Sequence, residues 1–243
     1  MISSLLFNFF LVLWEVFYTL ITLPILFFPI HIRTVLLTFS IKVVLYMLRL
    51  LCGIEYEIRG IENIPKQPFI IASKHQSPFE TLIFMLLFRN AVFILKRELK
   101  WIPFIGLHLM ALGMIFINRL DGIKSIRYII KLAKIRMKEN RSIIIFPEGT
   151  RTVAVTGQKT EYQSGVAALY SMLSVPVLPV ALNTGLFWPK HIFSIKKIPG
   201  KAVIKILSPI YPGLSKGIFL ESLRKTIEEK SNKLAAKKTG IAN

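Results

Sequence analysis

Apolar and polar positions divide the chain into two unlike parts. From Leu5 to Ile30 almost every residue is apolar, and the run is interrupted by Asn8, Glu15, Pro24 and Pro29. A second apolar run spans Thr34 to Cys52 and is broken by Lys42 and Arg49. Roughly 20 apolar residues cross a bilayer, so the first run is long enough to span. Glu15, however, falls near its middle, where an ionised carboxylate costs on the order of 3 kcal/mol. Pro24 would kink or end a helix there. Lys42 and Arg49 are seven residues apart, close to two helical turns, and so share one face. That suits a helix lying in the interface with its cations turned to lipid phosphates. The expectation is a membrane-embedded helical pair that need not cross fully; two spanning helices whose charges snorkel or face each other are the alternative. Neither run has the form of a secretory signal, since no basic region precedes the first and no small-residue cleavage site follows it.

Past residue 55 short β-rich runs alternate with helical ones. Strands are expected at 68–72, 91–95, 114–117, 142–146, 175–182 and 202–207. Helices are expected at 78–88, 123–139 and 165–173, where apolar residues recur every three or four positions. This alternation predicts an α/β fold, a mixed β-sheet covered by helices, preceded by the N-terminal membrane-anchoring pair. Two prolines, Pro176 and Pro179, place their strand at an edge or terminus of the sheet. Residues 216–238 read as an amphipathic, lysine-rich helix, either on a membrane surface or packed on the domain. The resulting division is 1–54 for the membrane-associated helices and 55–243 for one catalytic-size domain.

Composition sharpens the picture. The 243 residues are 53% hydrophobic and carry a net charge of +19, from 32 Lys and Arg against 13 Asp and Glu. Their mean hydropathy is +0.56. High apolarity joined to high basicity favours an anionic bilayer as partner. The cations are scattered and no nucleic-acid-binding motif is present, which argues against a nucleic-acid partner. Cys52 is the single cysteine, so neither an intrachain disulfide nor a cysteine-based metal site is possible.

Four polar stations follow the predicted strands. The first is Lys74-His75-Gln76-Ser77-Pro78-Phe79-Glu80. A neutral imidazole can take a proton near neutral pH, and a carboxylate can hold its other nitrogen in one tautomer. On one continuous helix His75 and Glu80 would point about 140° apart. Ser77 and Pro78, however, read as a helix start, which leaves His75 in the preceding turn. Glu80 can then either meet His75 or complete a capping box with Ser77. The second station runs from Lys96-Arg97-Glu98-Leu99 to Phe116-Ile117-Asn118-Arg119, with Lys96 and Arg119 as candidate phosphate ligands. The third is Phe146-Pro147-Glu148-Gly149-Thr150-Arg151. Here Arg151 is the natural anion clamp, and Glu148 would orient it or bind a substrate hydroxyl. Amides near Gly149 would face an oxyanion. The fourth, Val175 to Asn183, has no titratable group and would shape a pocket wall. His75 and Glu80 lack the companion ligands of a zinc site.

In this order the stations resemble the glycerophospholipid acyltransferase superfamily, most of all bacterial 1-acyl-sn-glycerol-3-phosphate acyltransferases. His75 and Glu80 match a His-x4-acid motif, although the acid there is most often aspartate. Lys96–Leu99 and Phe116–Arg119 match the second motif, 146–151 the third without change, and 175–180 the fourth. The resemblance covers roughly residues 55 to 210. It implies acyl transfer from a thioester to the sn-2 hydroxyl of lysophosphatidic acid, with His75 as base and Glu80 orienting it. Lys96, Asn118, Arg119, Glu148, Gly149, Thr150 and Arg151 would bind substrate. It further implies no bound cofactor, acyl-CoA or acyl-acyl carrier protein as co-substrate, and a place on the inner membrane with the site on the cytoplasmic side.

Overall fold

The computed structural model describes residues 1–24, 28–66, 68–102, 105–152 and 161–239, with backbone alone at 119 and 237–239. Helices α1 (Ile2–Thr22) and α2 (Ile30–Cys52) pack against each other, and both are long and apolar enough to cross a membrane by length and composition. Phe7, Leu11 and Tyr18 of α1 and Ile41, Val44, Leu45 and Leu48 of α2 are buried, Phe7 edge-on against Trp188 at 5.3 Å. Among the described residues two side-chain hydrogen bonds join these helices, from Trp14 Nε1 to Ser40 Oγ at 2.9 Å and from Cys52 Sγ to Ser3 O at 3.6 Å. Lys42 and Arg49 are both exposed, and Arg49 pairs with Glu55 at 2.9 Å. Gly53 ends α2 at φ 62°, a left-handed cap in which its N–H bonds Arg49 O.

That cap turns the chain directly into β1 (Ile54–Arg59). The following elements are β2 (Ile70–Ser73), α3 (Pro78–Leu87), β3 (Val92–Lys96), α4 (Ile105–Ala111), β4 (Ile115–Ile117), α5 (Ile123–Lys138) and β5 (Ile143–Ile145). Then come α6 (Ser164–Leu173), β6 (Val177–Leu182), β7 (Gly200–Ile206) and α7 (Lys216–Thr239). The seven strands form one sheet in the order β1-β7-β6-β2-β5-β3-β4, parallel at every pairing except β6 with β7. The fold is therefore the expected mixed α/β sheet. Its central strands β2, β5 and β6 are apolar at every position but Ser73, which ends β2, and are buried throughout, as a sheet covered on both faces requires.

Two elements escaped the sequence reading. β1 alternates Ile54, Tyr56 and Ile58 with Glu55, Glu57 and Arg59, a period-two signal hidden behind the long apolar run before it. The seven-residue α4 is too short for a periodicity argument. It lies so close to the turn before it that a Cβ on Gly106 would meet Lys100 O at 2.1 Å.

One expectation is corrected. β6 lies inside the sheet between β7 and β2, not at an edge. Pro179 is tolerated because it stands at the end of the β6–β7 ladder, which covers only residues 180–182, so its missing N–H ends that pairing and does not interrupt it. Its carbonyl still accepts from Leu207 N at 2.9 Å. The tail helix α7 packs on β6 and buries Phe219, Leu223, Ile227 and Leu234, which settles its placement on the domain.

Because β6, β2, β5, β3 and β4 run the same way, their carboxyl ends lie together. In open α/β sheets this is where ligands are held.

Candidate active site

The first station leaves the sheet at the carboxyl end of β2. Ser77 is extended (φ −149°) and caps α3, accepting from Phe79 N at 3.0 Å, and Pro78 occupies the first turn where its missing N–H is harmless. Glu80, in the third helical position, completes a capping box. Its Oε1 accepts from Gln76 N and Ser77 N at 2.7 Å each and lies 2.9 Å from His75 Nδ1. Its Oε2 accepts from Thr184 Oγ1 at 2.6 Å. The two readings of Glu80 are thus both realised, since one carboxylate oxygen caps the helix and holds the imidazole together.

His75 is fixed from every other direction as well. Its ring lies flat on Phe146, with centroids 3.9 Å apart and 13° between planes. Its backbone N–H donates to Glu148 Oε2 at 2.9 Å, and its carbonyl accepts from Thr152 N at 2.8 Å. With Nδ1 facing a carboxylate, the ring proton belongs there and Nε2 is the acceptor. No hydrogen bond from the described residues reaches Nε2, and the side chain is 15% exposed, enough to meet a substrate at the cleft.

Behind this loop lies a buried charge cluster. Lys74 Nζ pairs with Glu228 of α7 and lies 3.6 Å from Glu148 Oε1, while Tyr162 OH donates to the other Glu228 oxygen at 3.2 Å. Burial pushes the Glu148 carboxyl up to about 7, against the opposing pull of the His75 N–H, Lys74 and Thr152. Burial, then the nearby carboxylates, likewise push the Tyr162 phenol upward. Glu148 is not placed for the roles expected of it. Its side chain is 1% exposed and its oxygens accept from His75 N and Thr152 Oγ1 at 2.9 Å each, so it braces the His75 loop from within, and among the described residues it makes no bond to Arg151.

Gly149 sits at φ 72° in the turn after β5 and closes it by donating to Phe146 O at 3.0 Å. Its own amide is therefore committed and unavailable to an oxyanion, while Thr150 beside it is exposed. Arg151 donates from Nη1 to Lys190 O at 2.9 Å, yet its Nε is buried without a partner among the described residues. Burial lowers its pKa, and the charge of Glu80 works the other way. A guanidinium held inward with an unused N–H suits a second anion.

The second station lies further along the same sheet end. Lys96 ends β3 and is exposed, two strands from β2 and so about 10 Å away at ordinary strand spacing. Asn118 follows β4 but is occupied locally, accepting from Leu120 N at 3.2 Å and donating to Asp121 Oδ1 at 2.9 Å. Its side chain shapes the turn at 119–121. The Arg119 side chain lies outside the described residues. Thr184, Thr152, Glu228 and Tyr162 had no place in the sequence reading, and Lys74 stood in the first station without a role. Lys74 stood beside His75, but no local pattern marks Thr184, 104 residues from Glu80, or Glu228, 154 residues from Lys74. Among the described residues no group of three His, Cys, Asp or Glu side chains could hold a metal ion.

A family model described as Acyltransferase matches residues 55–183. A 1-acyl-sn-glycerol-3-phosphate acyltransferase of Pseudomonas aeruginosa is 38% identical over 162 residues, which cover 67% of this chain and 62% of that protein. A protein of the same name from Borreliella burgdorferi is 37% identical over 145 residues, 58% of this chain and 57% of its own length. The chain therefore spans about six tenths of the length of these curated relatives. The crystal structure of the 1-acyl-sn-glycerophosphate acyltransferase from Thermotoga maritima superimposes with a TM-score of 0.76 at 26% identity, covering 97% of this chain and 95% of that one.

Proposed function

This chain belongs to the acyltransferase family, and from that premise we propose that it moves a fatty acyl group from a thioester to the sn-2 hydroxyl of lysophosphatidic acid, forming phosphatidic acid. The single observation that carries the reading is the 2.9 Å contact between His75 Nδ1 and Glu80, which leaves Nε2 as a fixed base at the carboxyl end of the sheet. Nε2 takes the proton of the acceptor hydroxyl as its oxygen bonds to the thioester carbonyl carbon. When the tetrahedral intermediate collapses, the carbon–sulfur bond breaks and the imidazolium returns its proton to the leaving thiolate. Glu80 stabilises the imidazolium between these steps. No enzyme nucleophile takes part: a thioester is reactive enough for direct attack, and Ser77 is spent as the cap of α3.

The acceptor phosphate sits on Arg151, which is half-buried at the end of the 146–151 turn, with Lys96 and Arg119 further out along the sheet end. The donor is acyl-CoA or acyl-acyl carrier protein, and no bound cofactor enters the chemistry. The partner surface is an anionic bilayer, entered by residues 1–54 as a helical pair while 55–243 carry catalysis. The site faces the cytoplasm from the inner membrane.

The test offers the full chain in membranes a panel of acceptors with both donors. Labelled phosphatidic acid from lysophosphatidic acid is expected; preference for a lyso-ornithine lipid or glycerol 3-phosphate would move the assignment to that acceptor. Arg151→Ala should raise KM for the phosphorylated acceptor at least about tenfold, as loss of a charge-assisted bidentate contact does. Transfer to an unphosphorylated monoacylglycerol should be spared, and equal losses on both would remove the clamp.

A further inference from the structure

The catalytic end of the sheet is bordered at its β4 edge by an apolar surface that nothing in the described chain covers. Trp101, closing the turn after β3, is 80% exposed; Leu120, at the tip of the turn after β4, is 93% exposed; and Ile123, opening α5, is 71% exposed. On α4 Leu107 and Met110 are also exposed, three residues apart on one face, while Gly106 and Leu109 turn inward. The turn holding Trp101 packs on α4 and β4. α4 in turn meets α1, where His108 lies 5.2 Å from the Tyr18 ring and 3.3 Å from Thr22 Oγ1. A chain of contacting elements thus links these side chains to the exposed apolar side of α1, which carries Phe9, Leu13 and Phe17.

Single exposed apolar residues are ordinary, but several gathered on neighbouring turns at one edge of a sheet mark an interaction site. Its rim identifies the partner. Lys96, Arg97, Lys124 and Arg127 are all exposed around it, against Glu98 and Asp121, and Asp121 is already bonded to Asn118. A two-fold pairing of this face with a second copy would set those cations against their like. An anionic bilayer accepts both parts at once: cations at phosphate level and a tryptophan at the boundary where such rings concentrate.

We infer that the turns after β3 and β4, with the first residue of α5, form a second membrane contact that seats Trp101, Leu120 and Ile123 in an anionic bilayer beside the catalytic cleft. Its purpose, delivering a bilayer-borne acceptor to His75, rests on the acyltransferase reading; its geometry does not. Turn backbone needs water or protein for its N–H and C=O groups, so insertion stops near headgroup depth.

The test places an environment-sensitive NBD probe at Leu120→Cys in a Cys52→Ser background of the full chain, bound to phosphatidylglycerol–phosphatidylcholine vesicles. Leu120 makes no core contact, so the label leaves the fold intact. Quenching by lipids brominated near the headgroup is expected to exceed quenching by deeply brominated ones. Iodide access should be at least about threefold below that of a probe at Tyr211→Cys, on the β7–α7 connection, since a group seated in the interface is withdrawn from water. Full iodide access with no lipid quenching would overturn the contact, and equal insertion in purely zwitterionic vesicles would overturn the anionic bilayer as its partner. Leu120→Asp should also slow transfer to a vesicle-borne acceptor several-fold while sparing a short-chain, water-soluble one. A probe that is quenched in a chain devoid of transferase activity would defeat the catalytic reading and leave the contact standing.

Discussion

Glu80 collects two backbone amides, one imidazole and one threonine hydroxyl on its two oxygens. Thr184 is the distant member of that set and is fully buried. Thr184→Val leaves a carboxylate oxygen without its donor, a loss of about 1–3 kcal/mol for a buried acceptor. Turnover should fall roughly tenfold or more with KM unchanged, and Thr184→Ser should restore it. A wild-type rate in the valine variant would show that Glu80 is held well enough without it. Glu148 offers a second residue-level test. Its folded value is about 7 against an ordinary 4.5, raised chiefly by burial, with Lys74, Thr152, Tyr162 and Glu228 facing it. A raised value means the folded chain holds a proton that the unfolded chain has released. The stability this contributes is therefore complete below 4.5 and is lost as pH rises through about 7. The melting temperature of the wild type relative to Glu148→Gln should decline across that window. Parallel curves would contradict the shift.

At the scale of elements, the site is braced by a helix beyond the stretch that matches the family model, which ends at residue 183. Glu228 of α7 reaches Lys74, and the pair is almost wholly buried, with side-chain exposures of 13% and 6%. Breaking such a pair from one side strands the other charge, at a cost of about 3–5 kcal/mol. Glu228→Leu alone should lower stability by up to about that amount, since Glu148 still stands 3.6 Å from Lys74, whereas the double variant Lys74→Met with Glu228→Leu should recover most of it. Equal losses in both, followed by chemical denaturation, would mean that the pair is not what holds α7 there. Helices α3, α5 and α6 were legible from apolar spacing, and β2, β3, β4, β5, β6 and β7 from short apolar runs between turns. β6 was misplaced because a proline reads as an edge signal, and only the short register with β7 shows why it is harmless inside the sheet.

At the scale of the molecule, one parallel run of strands brings the ends of β6, β2, β5, β3 and β4 to the same side, and the four stations with them. His75, Glu80 and the residue 146–151 turn could be picked out in the sequence because base, carboxylate and strand-end turn stand in short, distinctive segments. Their supports could not, because Thr184 and Glu228 are ordinary residues until the sheet order places them beside the His75 loop. For the same reason the local hydrogen bonds of Glu148 and Asn118, both expected to bind substrate, were not foreseen from the sequence.

The central claim is that the imidazole at 75 removes the acceptor's proton. Single-turnover acyl transfer to lysophosphatidic acid by His75→Ala, in the same membranes and with a melting temperature matching the wild type, examines it most directly. The rate should fall about 10²–10⁴-fold, the loss of a positioned base, with acceptor binding preserved. A variant that forms phosphatidic acid at close to the parent rate would show that some other group takes the proton.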